Sequence, residues 1–122
     1  AASDVDKGRV VYTGTHDNQT IWGWYRSQSV RRKRLIRKSL RGAGYLWGTV
    51  AKRLVQLALD DRAELCVIPA ADIIELSDEA RINTPGTVGS PNWEWKLRTL
   101  EQLEMPLERF GDTVRKSGRA MK

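Results

Sequence analysis

Apolar positions along this chain fall into short continuous runs and into stretches of helical period, and the two kinds alternate. Arg9-Val10-Val11-Tyr12-Thr13 is β-branched and aromatic and ends at Gly14, which predicts a strand feeding a loop. Residues 14–20 are polar, and Ile21 to Tyr25 is rich in Trp and Tyr. From Ser29 to about Arg41, Leu35, Ile36 and Leu40 share one side of a helix, with Arg and Lys around the rest, and Gly42 and Gly44 break it. A second helix is expected from about Trp47 to Leu59, where Val50, Leu54, Leu57 and Ala58 recur at helical spacing before Asp60-Asp61.

Leu65-Cys66-Val67-Ile68, closed by Pro69, has the continuous apolar pattern of a strand buried on both faces. Asp72 followed by Glu75 reads as an N-cap with its N3 partner, opening a short helical turn. Arg81 to Asn92, with Pro85, Gly86, Gly89 and Pro91, is a long loop. Leu97 to Arg115 predicts a last amphipathic helix, interrupted or kinked near Pro106, and residues 1–8 are a poorly defined lead-in. Strand, helical crossover, buried strand and terminal helix make an α/β chain with parallel strands. Two parallel strands cannot cover both faces of a sheet, so the chain is expected to be a piece of a larger barrel or sheet.

Composition narrows the function classes. With 122 residues and 40% hydrophobic content, the chain suits one globular domain rather than a disordered segment. No stretch approaches the roughly 20 apolar residues of a membrane span, so no membrane partner is expected. Ala1-Ala2-Ser3-Asp4-Val5-Asp6 has neither a basic nor an apolar leader region, and Cys66 has no partner for a disulfide, which together suggest a cytoplasmic protein. The lone His16 argues against a His-rich metal site, and no cofactor is expected. The missing initiator Met, with chemically loaded residues so near the start, suggests a truncated or excised chain.

The net charge of +6 is concentrated, since Arg26 to Arg53 holds ten basic residues and no acidic one. Such a run suits a nucleic-acid module, but it lacks a companion motif and falls opposite the apolar stripe, as a solvated helix face does. Asn18-Gln19-Thr20 fits the glycosylation pattern by chance, and Cys66 reads as a small core residue.

His16 and Asp17 follow the first strand directly, where parallel α/β folds build their active sites. A carboxylate there can accept hydrogen bonds from vicinal sugar hydroxyls, an imidazole can add one more, and Trp22, Trp24 and Tyr25 offer flat faces for a sugar ring. The alternative is an Asp and a His that only organise a turn. In Arg81-Ile82-Asn83-Thr84-Pro85-Gly86-Thr87, the Pro-Gly pair sets a tight turn that can present Asn83 and Thr84 to a ligand, or be an ordinary surface turn. Trp93 and Trp95 alternate like strand residues and are expected to pack this loop on the core.

Val10-Val11-Tyr12-Thr13-Gly14-Thr15-His16-Asp17-Asn18, then Thr20 and Gly23-Trp24-Tyr25, resembles a signature of the 4-alpha-glucanotransferases, the amylomaltases or disproportionating enzymes. Ala63 to Pro69, Asp72, Glu79-Ala80-Arg81-Ile82-Asn83-Thr84-Pro85-Gly86-Thr87, Asn92-Trp93 and Trp95 follow in the family's order. The resemblance runs from about residue 9 to the C-terminus. It implies the last two strand–helix units of a (β/α)8 TIM barrel, with residues 1–122 forming the C-terminal segment of one catalytic domain whose N-terminal part is the missing partner.

It also implies a retaining double displacement that moves α-1,4-glucan segments between maltooligosaccharides derived from starch or glycogen. By this resemblance Asp17 is the catalytic transition-state stabiliser, and His16 and Asn83 bind substrate. The nucleophile and acid/base have no match here, so the chain alone is expected to be inactive. Gln19 stands where Asp is frequent, Ala70-Ala71 where a bulkier residue and Gln are usual, and Ser90-Pro91 in a stretch normally Gly-rich. The other readings are a small basic nucleic-acid-binding module and a non-catalytic barrel remnant.

Overall fold

The computed structural model describes residues 5–119. Strands β1 (Asp6–Tyr12) and β2 (Ala63–Val67) pair in parallel, joined by helices α1 (Ile21–Arg26), α2 (Val30–Gly42) and α3 (Val50–Leu59). After β2 come the short α4 (Ala70–Ile73), a 3-10 turn at Asp78–Ala80 and the terminal α5 (Glu101–Ser117). The expected α/β order is present. β1 starts inside the stretch read as a lead-in, and residues 1–4 of that stretch lie outside the described residues.

The early start of β1 depends on a bulge. Asp6 opposes Ala63 and Val10 opposes Leu65, so β1 carries extra residues between these pairs. Gly8 takes φ +77° there, and its N–H donates to the Glu64 carboxylate at 2.7 Å, replacing a lost ladder bond. At the same end, the Asp61 carboxylate accepts from Ala63 N at 2.8 Å and pairs with the Arg9 guanidinium.

The pleat sorts the side chains of both strands. Cys66 and Ile68 pack against Ile21, Ala51, Val55 and Leu59. On the other face Val10 lies opposite Leu65 and Tyr12 opposite Val67, and all four are exposed, Leu65 at 55%. The apolar run of β2 is therefore covered on one face only, not on two. Each strand has one neighbour and nothing lies over Val10, Tyr12, Leu65 and Val67 among the described residues. Burial pushes the Cys66 thiol pKa up, which keeps it protonated and a poor nucleophile.

α2 and α3 form near the helical stripes, each opened by a hydroxyl cap: Ser29 accepts from Arg32 N and Thr49 from Lys52 N. In α2, Leu40 is buried and Ile36 packs beside it, but Leu35 is exposed. The Thr49 cap starts α3 at Val50 rather than near Trp47, which is left exposed. Val50, Ala51, Val55 and Leu59 are its buried residues, whereas Leu57 is exposed, so the stripe is rotated from the one expected. Arg31, Arg32, Arg34, Lys38 and Arg41 are exposed and enter none of the ion pairs among the described residues. This is a solvated face. α5 runs through Pro106 as one element instead of being interrupted there, and lays Phe110 and Val114 on the core. No helix among the described residues is long and apolar enough to cross a membrane.

α1 is an element that the sequence does not announce. It spans six residues, too few for a period to register, and contains Gly23. Its first turn is satisfied from outside: Thr20 Oγ1 accepts from Gly23 N at 3.1 Å, and the Asp72 carboxylate accepts from Ile21 N at 2.8 Å. Gly23 lets the Asp78 carboxylate come close, since a Cβ there would push that side chain aside. Asp72 is thus not the N-cap of its own turn. It sits within α4, whose N-cap is Pro69, and Glu75 takes φ +58° and accepts from Thr49 Oγ1. The Asp72 carboxylate, on a residue only 3% exposed, serves positions distant in sequence, accepting also from Thr13 Oγ1 at 2.6 Å.

Replacing Asp72 by Ala orphans a half-buried hydroxyl and a buried N–H, and should cost on the order of 2–4 kcal/mol, read as a lower urea midpoint. Asp72→Asn keeps one acceptor oxygen and should lose less. A second expectation concerns pH. The Ala63 N–H, with the Arg9 guanidinium, holds the Asp61 pKa below the usual carboxylate range. Its stabilising effect is complete above the ordinary aspartate pKa and is lost as pH falls through the lower, folded value. Stability should therefore fall less on acidification in Asp61→Asn than in the parent, measured by urea unfolding from about pH 6 to about pH 2.

Candidate functional site

The polar segment 14–20 leaves the carboxyl end of β1 and is held at both ends. Thr13 and Ile21, which flank it, both donate to Asp72 from α4, after β2. Inside the loop, Asn18 Oδ1 accepts from Thr15 N at 2.8 Å and from Thr15 Oγ1 at 3.0 Å, while Asn18 N bonds Thr15 O. Asn18 and Thr15 thus make the turn, and the Asp17 carboxylate is left to point elsewhere. Thr20, the last residue of the glycosylation-like triplet, is buried as the cap of α1.

Asp17 faces the loop after β2. Asn83 Nδ2 donates to Asp17 Oδ1 at 2.7 Å, and His16 Nε2 lies 3.2 Å from Asp17 Oδ2. Asp17, His16 and Asn83 are therefore together, drawn from loops that follow neighbouring parallel strands. The backbone ties the loops as well, through Asn83 N to His16 O at 3.0 Å. The turn-only alternative is not what this carboxylate does, because its oxygens engage side chains. Each oxygen has two lone pairs and uses one, leaving one on each for further donors. With the Asp17 side chain 48% exposed, a pair of adjacent hydroxyls can reach both. His16 Nε2 is the ring nitrogen turned to Asp17, so Nδ1 is the one left for another partner.

Arg81 and Trp93 complete the cluster, and the sequence marks neither as a site residue. The Arg81 guanidinium donates to Asp17 O at 2.8 Å and to Asn83 O at 3.0 Å, bridging the two loops. Its place beside Asn83, opposite an Asp-bearing loop, is the one available signal. The Pro-Gly turn forms as expected, with Gly86 at φ +82° and Thr87 N bonding Thr84 O at 3.2 Å. Asn92 Oδ1 accepts from Thr84 N, and Trp93 N donates to Ile82 O at 2.6 Å, so the loop closes on itself.

Several expectations change. Trp93 neither continues a strand nor packs the core: it has φ +64°, is 64% exposed, and its ring lies 4.9 Å from that of His16. Trp95 is half-buried and lines a cavity with Ala71, Ala80 and Ile82, but it joins neither core cluster. Trp22 and Tyr25 are not open platforms, because they stack on each other at 5.7 Å in the core and Arg37 donates to the Tyr25 hydroxyl. Trp24 stays exposed and, with Asp17, Tyr12 and Arg81, lines a cleft of about 880 Å³ along β1 and α3. Thr84 lines a separate groove with Asn92 and Trp95 rather than facing Asp17. Gln19 Nε2 donates to Asp78 at 3.0 Å, a contact an Asp at that position would turn into repulsion.

Comparisons with known proteins agree on one family. A family model described as 4-alpha-glucanotransferase matches residues 1–102. The chloroplastic/amyloplastic 4-alpha-glucanotransferase DPE1 of Arabidopsis thaliana is 36% identical over 115 residues, 91% of this chain and 19% of that protein. The 4-alpha-glucanotransferase of Thermus thermophilus is 41% identical over 91 residues, 72% of this chain and 18% of that protein. In fold, the chain is similar to an amylomaltase from Streptococcus agalactiae, solved in complex with acarbose, with a TM-score of 0.81 at 24% identity over 92% of this chain and 22% of that one. The chain thus spans about a fifth of the length of the curated relatives it matches. With most of its residues under the family model, and relatives such as the Arabidopsis thaliana enzyme 36% identical over 91% of this chain, the chain belongs to the 4-alpha-glucanotransferase family.

Proposed function

We propose that this chain is the C-terminal segment of a 4-alpha-glucanotransferase, forming the last two strand–helix units of a (β/α)8 barrel. The bare sheet face of Val10, Tyr12, Leu65 and Val67 supports the barrel placement. In such barrels inward side chains from all strands fill the interior, and the helices cover only the outside. Here α3 and α5 cover the side of Cys66, and the opposite side awaits the remaining strands. The cluster sits on the loops after β1 and β2, the end at which such barrels build active sites.

The observation that carries the functional reading is the Asp17 carboxylate, oriented by Asn83 and His16 with a free lone pair on each oxygen. In a retaining transfer, a carboxylate attacks the anomeric carbon while an acid protonates the leaving glycosidic oxygen. The 4-hydroxyl of a second glucan then attacks the glycosyl-enzyme and gives up its proton to the same residue, now a base. Asp17 does neither step. It accepts hydrogen bonds from adjacent hydroxyls of the sugar at the cleavage point, and its charge stabilises the oxocarbenium-like transition state. His16 and Asn83 bind the same sugar and hold Asp17 against it. The acarbose held by the amylomaltase of similar fold supports a glucan as the substrate class. Nucleophile and acid/base come from the upstream part of the barrel.

In a chain extended upstream to the length of its relatives, Asp17→Ala should remove on the order of 2–4 kcal/mol of transition-state stabilisation, a fall of roughly 30- to 900-fold in turnover of maltotriose. A higher KM with turnover intact would instead make Asp17 a plain substrate contact. The 122-residue chain by itself should release no glucose from maltotriose. Glucose above the blank in that assay would sink the division of labour proposed here.

A further inference from the structure

We propose that Trp93 is a positioning residue that holds the His16 imidazole in its working orientation; the inference rests on the reading of His16 and Asp17 as a sugar-binding pair. His16 lies on an exposed loop with its side chain 53% accessible. Among the described residues, two contacts restrain its ring: Nε2 lies 3.2 Å from Asp17 Oδ2, and the Trp93 ring lies 4.9 Å away, tilted by 33°. A single 3.2 Å contact at Nε2 tolerates changes of distance and angle, so by itself it restrains the imidazole only loosely. A flat indole alongside removes the remaining freedom, because the ring can leave its plane only by losing the aromatic contact.

The placement of Trp93 is otherwise hard to account for. It is a large apolar side chain left 64% exposed, with a backbone φ of +64° that L residues rarely adopt and that a bulky aromatic disfavours. Such conformations persist where the surroundings over-determine them, and here they do. Trp93 N donates to Ile82 O at 2.6 Å, Asn92 bridges Thr84 N and Thr87 Oγ1, and Asn83 N donates to His16 O at 3.0 Å. The loop is tied to itself and to the backbone of the residue against which it places the indole. The hydrophobic core does not benefit, since its clusters do not include Trp93. The ring beside the indole is that of His16.

The test is a double-mutant cycle in the chain extended upstream to the length of its relatives, with kcat, KM and thermal midpoint measured for each variant. Trp93→Ala should lower kcat/KM by roughly 10- to 100-fold, the loss expected when a catalytic-site group is misplaced, and Trp93→Phe should restore most of it. In a His16→Ala background the same Trp93→Ala change should cost nothing further, because the ring it positions is gone. Trp93→Gly separates positioning from structure: it relieves the left-handed backbone, so its midpoint should match or exceed that of Trp93→Ala, yet its activity should be as low. Losses from Trp93→Ala that are equal in the parent and in the His16→Ala background would overturn the proposal and leave the site reading standing. A His16→Ala enzyme with unchanged kcat/KM would overturn the site reading and the proposal with it.

Discussion

The site depends on one buried carboxylate. Asp72, on the short helix after β2, accepts from Thr13 at the end of β1 and from Ile21 at the start of α1. Between those donors lies the loop that carries His16 and Asp17. A carboxyl group is expensive to bury without partners, and here two protein donors replace its water. The same bonds satisfy a first-turn N–H of α1 that the helix cannot satisfy itself. One group therefore settles its own burial, a helix start, and the separation of the loop's two ends.

Above that base, the loops are joined by a second set of contacts. Arg81 bridges Asp17 O and Asn83 O, and Asn83 bonds both the Asp17 carboxylate and His16 O. Backbone carbonyls and amides take most of these bonds, so the Asp17 carboxylate oxygens keep spare lone pairs. The two levels differ in exposure for a physical reason. Asp72 must exclude water to be a firm anchor, whereas Asp17 and His16 are each about half exposed and open to solvent.

The sheet is covered unevenly. Helices shield one face and leave Val10, Tyr12, Leu65 and Val67 open on the other. The apolar run Leu65 to Ile68 is a sound guide to composition and an incomplete one to burial: β-branched and aliphatic residues on both faces of a strand anticipate two covered faces. The basic helix is the opposite case, with Arg31, Arg32, Arg34, Lys38 and Arg41 exposed to water and in none of the ion pairs among the described residues.

Local rules are enough where the signal is local. The presence of α2, α3 and both strands and the Pro-Gly turn follow from side-chain period and backbone preference, whereas the buried stripe of α3 is rotated from the apolar one and Leu35 of α2 stays exposed. Asp17, His16 and Asn83 are legible as candidates because motif order carries them. What the sequence cannot decide is set by contacts between residues far apart along it. Asp72 has the local pattern of a cap for its neighbours and serves residues more than fifty positions away; α1, too short to show a period, is held by that contact. Trp93 has the spacing of a packing residue and lies against His16, because a left-handed backbone angle and a closed loop turn it outward. Periodicity reports which face of an element is apolar. Only the tertiary fold decides which distant donor meets which acceptor, since that choice depends on where the loops are brought together.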